Sequence, residues 1–242
     1  VSLIRQLKSI IQVQSFHPTP FLGLLLNPFY FSRSTLDQAV KNAAGKMKGK
    51  ILDVGCGSKP YRGYFPAGEY VGMEISSSVD RPEILADVFY SGEAFPFENQ
   101  SFDHVVSFQV LEHVPQPEFF ISEISRVLKV GGSILLTVPF VWEEHEVPHD
   151  RTRFTSYGLR ELLERHHLKV LGLQKLSPGL KAISQLLTGM ITVAVGKKSR
   201  WFRYLIQFGV VFPTHLLAVI FAPLLSKNQG FYLDNVVQAK RV

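Results

Sequence analysis

Between Lys50 and Leu173 the chain alternates short apolar runs with stretches of helical spacing, and this alternation narrows the fold more than any other feature. Lys50-Ile-Leu-Asp-Val54 ends in Gly55, and Tyr70–Ile75, Phe102–Phe108 and Gly132–Val138 are further runs of the same kind, with Ile84–Ala86 a short strand after the second. Runs this apolar suit strands buried on both faces. Phe119, Phe120, Ile124, Val127 and Leu128 recur at helical spacing before Gly131-Gly132, a glycine pair that closes a helix. Gly158–His167 reads as another helix, Leu168–Leu173 as a strand, and Phe231–Ala239 alternates enough to close the sheet. The pattern predicts an α/β fold: a doubly wound, mostly parallel sheet of seven strands with the last antiparallel.

Two regions lie outside this pattern. Residues 1–49 read as a helical amino-terminal segment. Residues 176–229 form an insert before the last strand, too long for a loop and not polar. Ala182–Val195 and Tyr204–Ser226 contain no charged residue, and Lys197, Lys198, Arg200 and Arg203 separate them. The second run reaches the roughly 20 apolar residues that cross a bilayer. Gln207, Pro213, His215 and Pro223 interrupt it, which fits a broken or interfacial helix pair, and its basic flanks suit an anionic membrane surface. Ordinary packing of both helices on the sheet is the competing reading. The apolar stretch Phe21–Phe31 is too short to span, and it lies too late and lacks the cleavage pattern of a signal peptide.

Charge follows the same division. The net charge of +6 combines +6 over residues 1–50, −11 over 51–150 and +11 over 151–242. Basic residues interleaved with long apolar runs, and no recognition motif, argue against a nucleic-acid partner. A single cysteine, Cys56, forms no internal disulfide and indicates no oxidising compartment, so a cytoplasmic location is expected, with peripheral contact at the inner face of the membrane.

The chemistry concentrates at the expected carboxyl ends of the strands. Asp53-Val-Gly55-Cys-Gly57-Ser-Lys-Pro60 follows the first, where glycines let a ligand approach the backbone. A carboxylate there repels a pyrophosphate and attracts a ligand with an ammonium and a sulfonium, and Pro60 stands where a dinucleotide fingerprint has its third glycine. Glu74, at the end of the second strand, suits both hydroxyls of a ribose, and Asp87, after Ile84–Ala86, suits an adenine amino group.

Ile51-Leu-Asp-Val-Gly-Cys-Gly57, Val71-Gly-Met-Glu74, Phe95-Pro-Phe97 with Ser101-Phe-Asp103, Val110-Leu-Glu-His-Val114 and Glu123-Ile-Ser-Arg-Val-Leu-Lys-Val-Gly-Gly132 resemble, in order and spacing, the class I S-adenosylmethionine-dependent methyltransferases, type 11 subgroup. The resemblance covers Lys50 to Leu173. Gly57-Ser-Lys-Pro-Tyr-Arg62 and His149-Asp-Arg-Thr-Arg-Phe-Thr155 with Tyr157-Gly-Leu159 are similar to a branch found beside polysaccharide and cell-envelope genes. It implies S-adenosylmethionine as cofactor, its methionine end held by Asp53, Gly55 and Gly57, its ribose by Glu74 and its adenine by Asp87 between Val88 and Phe89. Gln109 would lie beneath it, and Cys56, Tyr61 and Ile75 are further expected contacts. The family usually has Asp where Glu74 stands, and Lys-Pro-Gly-Gly where this chain has Lys129-Val-Gly-Gly132.

Methyl transfer from a sulfonium is an in-line displacement that needs alignment and exclusion of water, plus a base only for some acceptors. Candidates after the fourth and fifth strands are His113, His149 and Asp150, with His145, Arg151 and Arg153 as substrate-binding residues. His113 reads equally as a helix-start residue that shapes the pocket, and His149-Asp150 as a loop-fixing pair. His145 and His149 stand four apart among Glu143, Glu144 and Glu146, but Pro148 argues against the helix that would pair them on a metal, so no metal is expected. The expected acceptor is small, lipid-linked or saccharide-derived. A lipid or quinone methyltransferase and a non-catalytic cofactor-binding scaffold at a membrane are the alternatives.

Overall fold

The computed structural model describes residues 13–66, 68–225 and 229–242. The first twelve residues of the expected amino-terminal helical segment, and residues 226–228 of the insert, lie outside the described residues.

Seven strands form a single sheet: β1 (Ile51–Val54), β2 (Tyr70–Ile75), β3 (Val88–Tyr90), β4 (Phe102–Phe108), β5 (Leu128–Pro139), β6 (Leu168–Leu176) and β7 (Asp234–Arg241). Their order is β3-β2-β1-β4-β5-β7-β6. All four residues of β1 are buried, as a central strand covered on both faces requires. It pairs in parallel with β2, Asp53 opposite Gly72, and with β4, Asp53 opposite Val106. At one end of β7 the Leu233 N–H donates to the Leu176 carbonyl, and at the other the Val242 N–H donates to that of His167, so β7 runs opposite to β6. The chain passes from β1 outward to β3 and returns to β4 on the other side of β1. That reversal opens a crevice beyond the carboxyl ends of β1 and β4, the place where open sheets of this kind bind ligands.

Three boundaries differ from expectation. The third strand is Val88–Tyr90 and not Ile84–Ala86, because Asp87 turns its backbone N–H to the Gly72 carbonyl and the ladder with β2 starts only afterwards. Asp87 therefore precedes its strand. The fifth strand begins at Leu128, with Lys129–Gly132 bulged out of the β4–β5 register. The last strand begins at Asp234, since Phe231 and Leu233 enter a separate apolar cluster.

The chain divides into two compact units. One comprises residues 40–140, 144–174 and 235–242. Its core joins strand residues such as Leu52, Val105 and Leu136 to helix α3 (Pro117–Val127) through Phe120, Ile121 and Ile124, and to α4 (Ser156–Arg165) through Leu159, Leu162 and Leu163. Thr155 caps α4 by accepting from the Gly158 N–H, which starts that helix two residues earlier than the apolar pattern indicates.

The other unit comprises residues up to Ala39, 141–143 and 175–234, so it joins the amino-terminal segment to the insert. It holds α1 (Pro20–Leu26), the start of α2 (Tyr30–Ala44), α5 (Leu180–Val195), α6 (Arg200–Ile206) and α7 (Phe212–Phe221). Gln185 of α5 accepts from the Phe31 N–H and donates to the Pro28 carbonyl. The expected break near Pro213 is absent. A π-helical turn, Gln207–Val211, carries one continuous helical stretch from Arg200 to Leu225 past the missing proline N–H.

Candidate active site

Beyond the carboxyl ends of β1, β2 and β4 lies a cavity of about 1040 Å³, lined among others by Gly55, Gly57, Glu74, Gln109, His113 and His149. That exceeds what one nucleoside-sized ligand needs.

The turn after β1 is built by two hydrogen bonds, from the Gly55 and Cys56 N–H groups to the Met73 carbonyl. Gly55 has φ +72, and a Cβ there would meet Val110 at 2.4 Å, so both backbone and neighbour demand glycine. Gly57 has φ +49, and a Cβ on it would meet nothing within 4 Å. Backbone here is open to close approach by a ligand. Glu74 faces this turn, accepting from the Gly57 N–H at 3.0 Å and from the Ile75 N–H at 3.1 Å. Gln109, at the end of β4, holds φ +57, with its N–H and its Nε2 both donating to Thr137 Oγ1 at 3.2 Å. A non-glycine residue kept in that region by a neighbouring strand marks the rim of a site.

Asp53 lies behind the turn, 2% exposed. Tyr70 donates to its Oδ2 at 2.6 Å, and its Oδ1 accepts no hydrogen bond among the described residues. Burial raises its pKa to about 7 against the opposing hydrogen bond from Tyr70. An orphaned buried carboxylate oxygen, glycine backbone with open space and a second acid on the cavity wall fit a ligand that carries positive charge and a ribose. The residues present suit S-adenosylmethionine.

Other expected contacts are placed elsewhere. Asp87 sits at the amino end of β3, where it takes Lys59 Nζ at 2.5 Å and the Gly72 N–H at 2.7 Å, and neither it nor Val88 lines the cavity. The carboxyl end of β3 instead presents Tyr90, Gly92, Glu93 and Phe95 to the cavity. Sequence reasoning missed these because it put the strand too early; the signal was the apolar triplet Val88-Phe-Tyr90 followed by Gly92. Cys56 and Tyr61 are buried, Tyr61 edge-on to Phe108 at 5.0 Å, and burial pushes the Cys56 thiol up to about 12. Ile75 is on the wall.

The cavity wall at Phe95 is held by α3. Glu123 accepts from the Phe95 N–H at 2.7 Å, and Arg126 donates to the Phe97 carbonyl at 2.8 Å and to Glu123 at 2.7 Å. The Glu123-Ile-Ser-Arg126 spacing thus clamps Phe95-Pro-Phe97 from one helical turn.

The structure also brings His113, His149 and Arg151 onto the cavity wall, whereas Asp150, His145 and Arg153 do not line it. Arg153 grips Asp150 through two bonds of 2.6 Å, and the Asp150 side chain is 3% exposed. That grip holds the carboxyl far below the usual carboxylate range, so Asp150 stays ionised and accepts from the His145 N–H at 3.0 Å. It organises the loop. His113 and His145 meet edge to face, 4.9 Å between ring centres, and burial lowers the His113 pKa. Ligand atoms of Glu112, His113 and His145 lie within 4.8 Å of one another, a grouping different from the His145–His149 pair that spacing suggests.

Residues 52–136 match the family model described as a methyltransferase domain. Over 100 residues the chain is 37% identical to an uncharacterized methyltransferase of Mycobacterium leprae, covering 36% of each chain. It is 31% identical over 107 residues to a fatty-acid O-methyltransferase of Mycolicibacterium smegmatis, covering 39% of each. Among solved structures, phosphoethanolamine N-methyltransferase 2 of Haemonchus contortus in complex with S-adenosyl-L-methionine superposes with a TM-score of 0.55 at 16% identity, covering 100% of this chain and 60% of that one. The chain spans about a third of the length of the first curated relatives it matches, 36%.

Proposed function

Residues 52–136 belong to the class I S-adenosylmethionine-dependent methyltransferases, and from that premise we propose that the chain transfers a methyl group to a small acceptor, lipid-linked or saccharide-derived. The observation that carries this reading is the convergence of Gly55, Glu74, Gln109, His113, His149 and Arg151 on one cavity at the carboxyl edge of the sheet.

When bound, S-adenosylmethionine supplies a methyl group on a sulfonium, with a thioether as neutral leaving group. Glu74 places acceptors beside it on the cavity wall, Asp53 adds negative charge from behind the turn without lining the cavity, and the Gly55–Gly57 turn admits it to the backbone. The chain's remaining task is to align the acceptor and exclude water. His113 is kept neutral at pH 7 by burial, so it is ready to take a proton from a hydroxyl acceptor. His149 lines the same cavity. Arg151, on the cavity wall with no hydrogen bond or ion pair to its guanidinium among the described residues, suits an acceptor with a carboxylate or phosphate. The fatty-acid relative supports the lipid-linked branch. Peripheral contact with the inner face of a membrane, through residues 176–229, belongs to the same reading.

Calorimetric titration with S-adenosylhomocysteine tests the cofactor assignment: the folded chain should bind, and Glu74→Ala should weaken binding by roughly tenfold or more, the loss expected of a charged hydrogen-bond acceptor. Folded protein that does not bind overturns the reading. A labelled-cofactor screen of lipid and saccharide extracts, run separately, then identifies the acceptor.

A further inference from the structure

The helices of the insert are built inside out. In α5 the buried residues are small or polar, namely Ala182, Ser184, Gln185, Thr188 and Gly189. Ile183, Leu187, Met190 and Val193, three or four apart, are exposed by 45% to 59%. In the stretch Arg200–Leu225 the buried residues are Val211, His215 and Ala218, whereas Leu217, Ile220 and Leu224 are 54%, 55% and 76% exposed. Only 22% of its apolar window is buried. An amphipathic helix in water does the opposite. Contiguous exposed apolar surface marks an interaction face, and small or polar residues between helices are the packing found where the surrounding medium is itself apolar.

Charge identifies the medium. No acidic residue occurs between Glu164 and Asp234. The turn joining α5 to α6 presents Lys197, Lys198 and Arg200, with Arg203 one turn on, all exposed. Trp201 and Tyr204 stand among them, 83% and 46% exposed, the aromatic types favoured at a membrane–water boundary. A second copy of this chain would bring the same cations to the contact and repel. Anionic headgroups above an acyl layer satisfy both the cations and the apolar face.

The helical stretch is long enough to span, but one side of it is tied to its own unit. His215 Nε2 bonds Thr188 Oγ1 of α5 at 2.8 Å, and Gln207 donates to the Leu25 carbonyl of α1 at 2.9 Å. A helix held along its flank presents one face and not its whole circumference.

We propose that the exposed face of α5 and of the stretch 200–225 is a monotopic docking surface for an anionic bilayer, with the cluster at 197–203 on lipid phosphates and the apolar stripe in the headgroup–acyl boundary. It deepens the membrane contact of the proposed function and rests on that part of it.

The test is flotation of the full chain with vesicles of phosphatidylcholine alone and of phosphatidylcholine mixed with phosphatidylglycerol. Binding to the mixed vesicles should be stronger by roughly tenfold or more, and changing Lys197, Lys198, Arg200 and Arg203 together to glutamate should abolish the preference. The variant with Leu217→Ser, Ile220→Ser and Leu224→Ser should stop floating while still binding S-adenosylhomocysteine. With Trp142→Phe, Trp201 is the sole tryptophan, and its emission should shift to the blue on mixed vesicles and be quenched by brominated acyl chains. A chain that binds S-adenosylhomocysteine but floats with neither vesicle overturns the proposal, as do equal binding to both, a lipid-free dimer that already shields Trp201, or resistance of cell membranes to alkaline extraction, which indicates a span. A chain that floats as described yet binds no S-adenosylhomocysteine leaves the docking surface standing and overturns methyl transfer instead.

Discussion

If Asp53 serves the ligand as proposed, it carries a conflict between stability and binding. Its folded-state pKa, raised to about 7 by burial from 3.8, means that the folded chain holds a proton there which the unfolded chain gives up. Stability from this group is therefore fully present below pH 4 and is lost as the pH rises through 7, by roughly 4 kcal/mol for a shift of this size. A cationic ligand needs the ionised form. Asp53→Asn should consequently raise the melting temperature of the ligand-free protein at pH 8 and weaken S-adenosylhomocysteine binding by roughly tenfold or more. In the wild type, affinity should fall as the pH drops below 7. Calorimetry across pH checks both signs; an Asn variant that binds as well as the wild type would remove Asp53 from the site. Asp150 shows the opposite case, a carboxylate held ionised by Arg153, whose contribution is lost only as acid titrates it.

Among elements, the sheet and the insert respond to substitution for opposite reasons. Leu136, fully buried in β5, packs in the sheet's core, so Leu136→Ala should cost about 2–5 kcal/mol through lost contacts and a cavity. Leu217→Gln or Ile220→Gln, on the outer face of α7, should each change stability by less than about 1 kcal/mol, because those side chains surrender little buried area. Chemical denaturation of the three variants reads this contrast directly. A large loss at Leu217 or Ile220 would mean that the face is covered in the folded protein. Element boundaries explain most of what the primary pattern misjudged. β3 has three residues at the edge of the sheet, too few for periodicity to place, and a shift of four positions moved Asp87 from the expected cavity rim to a pair with Lys59.

Over the whole molecule, every residue lining the cavity belongs to the unit formed by 40–140, 144–174 and 235–242. Saturating S-adenosylhomocysteine should slow amide exchange in the turns after β1, β2 and β4 and leave α5 and the stretch 200–225 unchanged. Hydrogen-exchange mass spectrometry decides it, and protection spread evenly over both units would refute a cavity confined to one of them. Much of this molecule was readable from its residues. The alternation of apolar runs with helical spacing, the glycines at 55 and 57 and the acids at 53 and 74 were enough to imply the sheet, its ligand edge and a cationic nucleoside, because each depends on local burial or on backbone freedom at one turn. The tertiary structure decided which histidines share an opening, that Arg153 is spent on Asp150, and that the insert turns Leu187, Leu217 and Leu224 outward and its Gln185, Thr188 and His215 inward. Hydropathy along a chain records how apolar a helix is; only the neighbours that arrive from distant segments determine whether its apolar side meets its own protein or faces away from it.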